Sequence, residues 1–317
     1  MPPAALIVVA SFLFATMGVC VRLASEAYGA GEIVMYRSLV GAVMLGIASG
    51  IRGESLRTQM PARHALRSTT GVLALCLWFY SIAHLPLATA MTLNYTSSLW
   101  LAVAVLGGAL VWQRRRPPEL GLVLAAIVGF AGIVLVLRPT LEHDAWWAGV
   151  VGLVSGLVSA LGYLQVASLG RLGEPDSRIV FWFSVGGIVG GAALATATGW
   201  HGHTGRGVGL LLAVGVLATI AQLLLTRAYV RGRTLVNASL QYLGIGFSFL
   251  YGVLLFDDHL TWLATLGMLL IVYASVRATA VRTRAVTTAP RRLSDRTETV
   301  PDPALPRPNL TSESASP

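Results

Sequence analysis

Residues 120–137 read LGLVLAAIVGFAGIVLVL, a run of 18 residues without a single charge. That length matches the roughly 20 residues an α-helix needs to cross about 30 Å of hydrocarbon. Hydrocarbon offers the backbone no partners, so a spanning element is either a helix or a strand of a closed barrel. A barrel strand alternates apolar and polar residues, whereas this run is continuous. It predicts a transmembrane helix. Comparable runs recur along the 317 residues, of which only 12% are charged and 55% hydrophobic. A soluble domain carries about a quarter charged residues, so this chain has too little polar surface to face water on all sides.

The pattern predicts an all-α membrane protein with ten transmembrane helices. The spans fall near 4–24, 33–51, 68–85, 88–112, 120–137, 148–169, 179–199, 208–229, 234–256 and 261–278. The first block follows no basic leader and reads as a retained span. Beyond 281 the chain is rich in Pro, Ser, Thr and Arg, which predicts a disordered tail over 281–317. The net charge of +9 comes from arginine alone. With the N-terminus inside, the inward loops carry Arg52, Arg57, Arg63, Arg67, Arg114, Arg115, Arg116, Arg171, Arg178, Arg231 and Arg233. The outward loops carry Arg138 and Arg206. This bias predicts that both termini are cytoplasmic, in the cell (inner) membrane, and explains the basic balance without nucleic acid. Cys20 and Cys76 both lie inside spans and imply neither a disulfide framework nor a metal site.

Sliding the chain by 147 residues lays Leu93-Asn94-Tyr95 on Leu240-Gln241-Tyr242. Five spans per half is an odd number, so the second copy must enter the membrane the other way round. The chain therefore divides into inverted five-helix repeats, 1–140 and 141–280. Such repeats place a substrate site near the midplane between the halves.

Polar stripes mark where that site should be. Asn237, Gln241, Gly244, Ser248 and Tyr251 share one helical face, as do Gly215, Thr219, Gln222 and Thr226. Asn94, Ser97, Ser155, Ser159 and Tyr163 add to the set. Hydrogen bonding between helices accounts for most of the Ser, Thr and Gly positions. The carboxamides Asn94, Gln222, Asn237 and Gln241 need several partners each, which a hydrated cavity supplies. Tyr95, Thr219, Tyr242, Tyr163 and Trp78 complete the expected cavity, with Trp78 and Tyr95 placed to stack on a planar solute. Two overlapping GxxxG pairs, Gly186/Gly190 and Gly187/Gly191, read as tight helix packing.

Charge inside the spans is scarce. Glu32 and Arg37 flank the start of the second span, are expected to pair, and are the candidates for coupling or gating. Arg22 and Arg227 are expected to snorkel to the interface. No carboxylate falls at mid-membrane, which argues against proton coupling through a buried acid and leaves exchange, facilitated diffusion or coupling through Glu32. No enzyme motif occurs, and His201 and His203 lack a third metal ligand. No catalytic residue, metal or cofactor is expected. The expected partners are a small-molecule solute and the lipid bilayer, with a homodimer left open. A non-transporting scaffold or sensor is the alternative reading.

The stretch from Tyr80 to Ala90 (YSIAHLPLATA), followed by Leu93-Asn94-Tyr95-Thr96-Ser97, resembles the drug/metabolite transporter superfamily and its EamA-type members. In the second half, Asp258 and Gly267 fit an acid-then-glycine spacing of that family. Trp112 stands where the first half would have the acid, and Ser98 where the family would have a kinking proline. The resemblance covers about residues 4–280 and implies export or exchange of metabolites such as amino acids, nucleotide-related compounds or drugs.

Overall fold

A computed structural model describes residues 3–97, 99–101, 124, 127–136, 145–231, 240–258 and 261–287. Among them all regular structure is helical. The helices are α1 Pro3–Ala24, α2 Ala30–Arg52, α3 Pro61–His84, α4 Leu87–Tyr95 and α5 Ile127–Val136, followed by α6 Trp146–Arg171, α7 Asp176–Thr198, α8 Gly205–Arg231, α9 Leu243–Phe256 and α10 Trp262–Thr287. Six of them, α1, α2, α3, α6, α7 and α8, are long and apolar enough to cross a bilayer. Their outward faces are apolar as well: Ile47, Ile51, Val189 and Leu254 are each more than half exposed. In water such faces would aggregate, and in lipid they are solvated. Asn237, Ser98 and the residues of the predicted tail from 288 onward lie outside the described residues.

Local chemistry sets the helix ends. Pro61 opens α3 at a position where its missing N–H costs nothing. Gly53 closes α2 at φ 66°, a left-handed conformation in which its N–H reaches back to the carbonyls of Ser49 and Gly50. The start of α3 at Pro61 corrects the predicted span start at 68. Arg67 is therefore a helical residue of the second turn, and it turns inward.

Helices pair in a regular way: α1 packs on α8, α2 on α7, α3 on α6 and α4 on α9. The closest approaches run through glycine. On α7, Gly187 and Gly191 meet Ser38 and Met35 of α2, while Gly186 and Gly190 meet Ser68 and Val72 of α3. The two GxxxG pairs thus serve two different neighbours. A methyl at Gly132 of α5 would lie 2.7 Å from the Gly267 carbonyl oxygen of α10, and one at Gly267 would lie 2.6 Å from that of Gly132.

Two helices are interrupted deep in the bundle. The α4 segment stops at Tyr95, with a turn at Thr96 before helix resumes at Ser97. Residue 240 is helical, residues 241–242 form a turn, and α9 begins at Leu243. The first break forms without proline. The Thr96 hydroxyl bonds the Leu93 carbonyl at 2.6 Å, and the segment is pressed against Gly156 of α6. A Cβ on Gly156 would sit 2.6 Å from that same carbonyl oxygen.

A glycine test follows. A Cβ at Gly191 would lie 2.5 Å from the Met35 amide nitrogen, whereas Gly46 has nothing within 4 Å. Gly191→Ala should cost about 1–3 kcal/mol through overpacking and lower the melting temperature in detergent. Gly46→Ala should leave it unchanged or raise it, since alanine is the better helix former. Equal melting temperatures for the two variants would refute this account of the α2–α7 contact.

Candidate functional site

The breaks in α4 and before α9 flank a cavity of about 50 Å³ near the centre of the bundle. Trp78, Asn94, Tyr95, Tyr163, Gln222 and Gln241 line it together, with Phe14, Ser159 and Phe183. These residues come from α1, α3, α4, α6, α7 and α8 and from the turn ahead of α9. Residues far apart in sequence are thus gathered where both halves interrupt a helix. A larger hollow of about 1030 Å³ opens between α2, α3, α6 and α7, with walls such as Val72, Leu73, Phe79 and Val189. Its lining is mainly apolar, whereas the smaller cavity gathers three carboxamides and two tyrosines.

Asn94, Gln222 and Gln241 each have a described partner. Asn94 Nδ2 donates to Ser155 Oγ at 3.0 Å and Ser159 Oγ at 3.2 Å. Gln241 Nε2 donates to the Tyr229 hydroxyl at 3.0 Å, and Tyr229 stacks on Tyr163 with ring centroids 4.9 Å apart. Gln222 Nε2 makes only a long contact, 3.4 Å, to Thr226 Oγ1. The indole N–H of Trp78 is buried and finds no acceptor among the described residues. Thr219 does not line the cavity: its hydroxyl bonds the Gly215 carbonyl and it packs against Gly41 of α2. Tyr242 is buried beside the cavity without lining it.

The residue that sequence reading missed is Arg67. Only 4% exposed, it lines the cavity, and its Nε and Nη1 have no hydrogen-bond partner among the described residues. Its guanidinium lies 4.3 Å from the centroid of the Phe183 ring. Gly71, one turn on, leaves room for it, and a Cβ there would collide with Nη1. Counting Arg67 among the loop arginines concealed it. The spacing of Arg67, Gly71, Leu75 and Trp78 along one helical face was the available signal. Arg37 is equally buried and sits over the same ring at 5.4 Å.

Arg37 does not pair with Glu32 as expected. Glu32 lies three residues into α2, and its carboxylate folds back to accept the Gly29 N–H at 3.0 Å. The same carboxylate takes the His201 N–H at 2.9 Å and its Nδ1 at 2.6 Å. A side chain turned back to cap the helix start cannot reach forward one and a half turns. At this end, too, Arg22 makes a two-pronged salt bridge to Asp258, at 2.5 and 2.9 Å, instead of snorkelling. Asp258 Oδ2 also accepts the Leu87 N–H at 3.1 Å, which ties α1, α4 and the end of α9 into one knot. Asp257, at φ 52°, makes the turn that delivers Asp258.

The opposite end is closed by Glu174, between α6 and α7. It accepts the Thr58 hydroxyl at 2.5 Å and Arg178 Nη1 at 2.8 Å, with His64 Nε2 at 3.4 Å. Arg178 and Trp182 hold the 53–60 loop through the carbonyls of Ser55 and Leu56. Arg227 pairs with Asp176 at 2.5 Å, where snorkelling was expected. A hollow carrying polar groups is thus enclosed between two ends fastened by ion pairs.

The EamA-like transporter family matches residues 1–138. The pseudopaline exporter CntI of Pseudomonas aeruginosa is 31% identical over 271 residues, covering 86% of this chain and 93% of the exporter. The chain belongs to the EamA-like transporter family. It is a multi-pass membrane protein of the drug/metabolite transporter superfamily and moves small solutes. A riboflavin transporter of Rhizobium johnstonii is 29% identical over 261 residues, covering 82% of each chain. A solved crystal structure shares the fold, with a TM-score of 0.65 at 17% identity, over 89% of this EamA-like chain and 98% of its own.

Glu174 gives a test of the closed end. Burial pushes its carboxyl upward, but the hydrogen bonds from Thr58 and Arg178, with His64 Nε2 close by, outweigh this and hold it below the usual carboxylate range. A depressed folded value contributes stability that is present above the unfolded pKa and is lost as pH falls through the folded one. Melting temperature in detergent should therefore fall as pH drops through and below the usual carboxylate range. Glu174→Gln should start lower at neutral pH and show a shallower fall, and a parallel curve for the variant would refute the assignment.

Proposed function

We propose that the chain is a secondary transporter that carries a small metabolite or drug-like solute across the cell (inner) membrane by alternating access. Its two inverted five-helix repeats, 1–140 and 141–280, rock about the central cavity, and it works as an exporter or exchanger. Both termini face the cytoplasm, which makes the Glu174 end the inner gate and the Arg22–Asp258 and Glu32–His201 contacts the outer one.

The observation that carries this reading is the polar cavity placed where both halves break a helix. Interrupted helices in corresponding positions are the mark of a transporter's binding site, and Tyr95 and Tyr242 differ by the repeat offset of 147. Helix pairing supports the repeat. Numbering α1–α5 and α6–α10 as copies, the first helix of each meets the third of the other, and second meets second, fourth meets fourth. A two-fold axis in the membrane plane generates that set of contacts. The polar lining speaks against a scaffold or sensor, which has no need of a hydratable centre. The relatives are named for different solutes, pseudopaline and riboflavin, so likeness selects no substrate.

Vesicles carrying the purified protein and loaded with a metabolite mixture should release specific solutes, identified by mass spectrometry. Gln241→Ala should slow that release by about 10-fold, the worth of a lost hydrogen bond of 1–1.5 kcal/mol. Retention of every metabolite, as in protein-free vesicles, would sink the proposal. An imposed pH gradient should leave the rate unchanged, because no carboxylate among the described residues lines the cavity. Strong acceleration that vanishes in Glu32→Gln would instead assign coupling to Glu32.

A further inference from the structure

We propose that the transported solute carries a carboxylate and that Arg67 receives it in the central cavity. The inference rests on the transport reading and deepens it by naming the substrate class.

A guanidinium stays protonated at any physiological pH, so Arg67 is a permanent cation. It is buried, and two of its nitrogens have no partner among the described residues. The acids nearest the two ends of the bundle are already committed. Glu32 is bonded to His201, Glu174 to Thr58 and Arg178, Asp176 to Arg227, and Asp258 to Arg22. Among the described residues, no Asp or Glu lines the cavity. The Phe183 ring answers part of the charge, but Arg37 shares that ring and adds a second buried cation instead of an anion. What Arg67 lacks is an acceptor.

The donor balance of the cavity points the same way. Arg67 Nε and Nη1 and the indole N–H of Trp78 are donors without acceptors. A carboxylate supplies up to four acceptor sites in a flat group that matches the planar guanidinium fork. A phosphate is bulkier and more highly charged, and it usually calls on several cations or a helix terminus. This cavity has one arginine, aromatic walls and about 50 Å³ of space. Asn94, Gln222 and Gln241 remain for neutral polar groups on the rest of the solute.

A bacterial metabolite extract separated by anion exchange at a pH above the amine pKa, so that amino acids are retained with the other acids, into acidic and unretained fractions tests the proposal on the full-length protein. The acidic fraction should raise the melting temperature in detergent and yield the solutes that leave protein-bearing vesicles. Methyl esterification of that fraction should abolish both effects, and phosphatase treatment should leave both intact. Arg67→Gln should lose both effects by 10-fold or more, and Arg67→Lys should retain part of each. If Arg67→Gln fails to elute as a monodisperse species, Arg67→Lys together with the esterification arm decides the matter. Stabilisation and efflux by the unretained fraction, loss on phosphatase treatment, or wild-type behaviour of Arg67→Gln would overturn the proposal. Stabilisation by acids without efflux would overturn transport and leave the carboxylate site standing. Efflux of neutral solutes alone would do the reverse.

Discussion

Hydrocarbon supplies no hydrogen bonds, so each polar side chain placed between these helices has to be answered by another side chain, by backbone or by solute. Most are. Asn94 is held by two serines of α6, Gln241 by Tyr229, and the buried Thr92 and Ser248 by carbonyls of their own helices. These local answers let α4, α6 and α9 carry polar residues without forfeiting stability. Arg67 and Arg37 break the pattern, and taking a charge out of water without a counterion costs several kcal/mol. A cost of that size persists where function requires it.

The same constraint separates rigid contacts from changeable ones. Between α2 and α7, and between α5 and α10, backbone meets backbone across glycine, dry and close. Contacts of this kind depend on shape and hold along the length of a helix. The ends are fastened differently, by Arg22–Asp258 and Glu32–His201 on one side and by the Glu174 cluster on the other. In these pairs the carboxylates are buried and the cations partly exposed, so they part only where solvent or a new partner takes up the freed charge. Opening one end therefore leaves the glycine-packed pairs intact, which is what a rigid-body rocking motion needs.

Span content was largely legible because hydropathy follows from the solvent, and the bilayer imposes it on every helix. The fold-deciding run at 120–137 is described at Leu124 and over Ile127–Val136, and there it is helical. Six of the predicted cavity residues line one hollow because polar side chains in lipid turn inward whatever the tertiary detail. What composition hid were contacts between residues far apart in sequence. The pairing of Arg22 with Asp258 spans 236 positions and depends on a left-handed Asp257. Glu32 was misassigned because the helix-start bond to Gly29 competes with the reach to Arg37. Arg67 was lost to a boundary: apolarity begins at 68, while the helix begins at Pro61.

An unanswered cation at the centre also bears on exchange versus free return. In a bundle closed without an anion, Arg67 faces the Phe183 ring and meets no counterion among the described residues, so closure is opposed by an uncompensated charge. With a carboxylate in place the same closure is favoured. A ligand shifts a two-state equilibrium by its differential affinity for the two states, and here the closed, low-dielectric state binds the anion more strongly. The carrier then crosses readily when loaded and reluctantly when empty. That asymmetry is the physical definition of an exchanger, and it needs no proton-bearing carboxylate in the membrane. Under the proposed carboxylate site, Arg67 links the substrate's charge to the mode of transport.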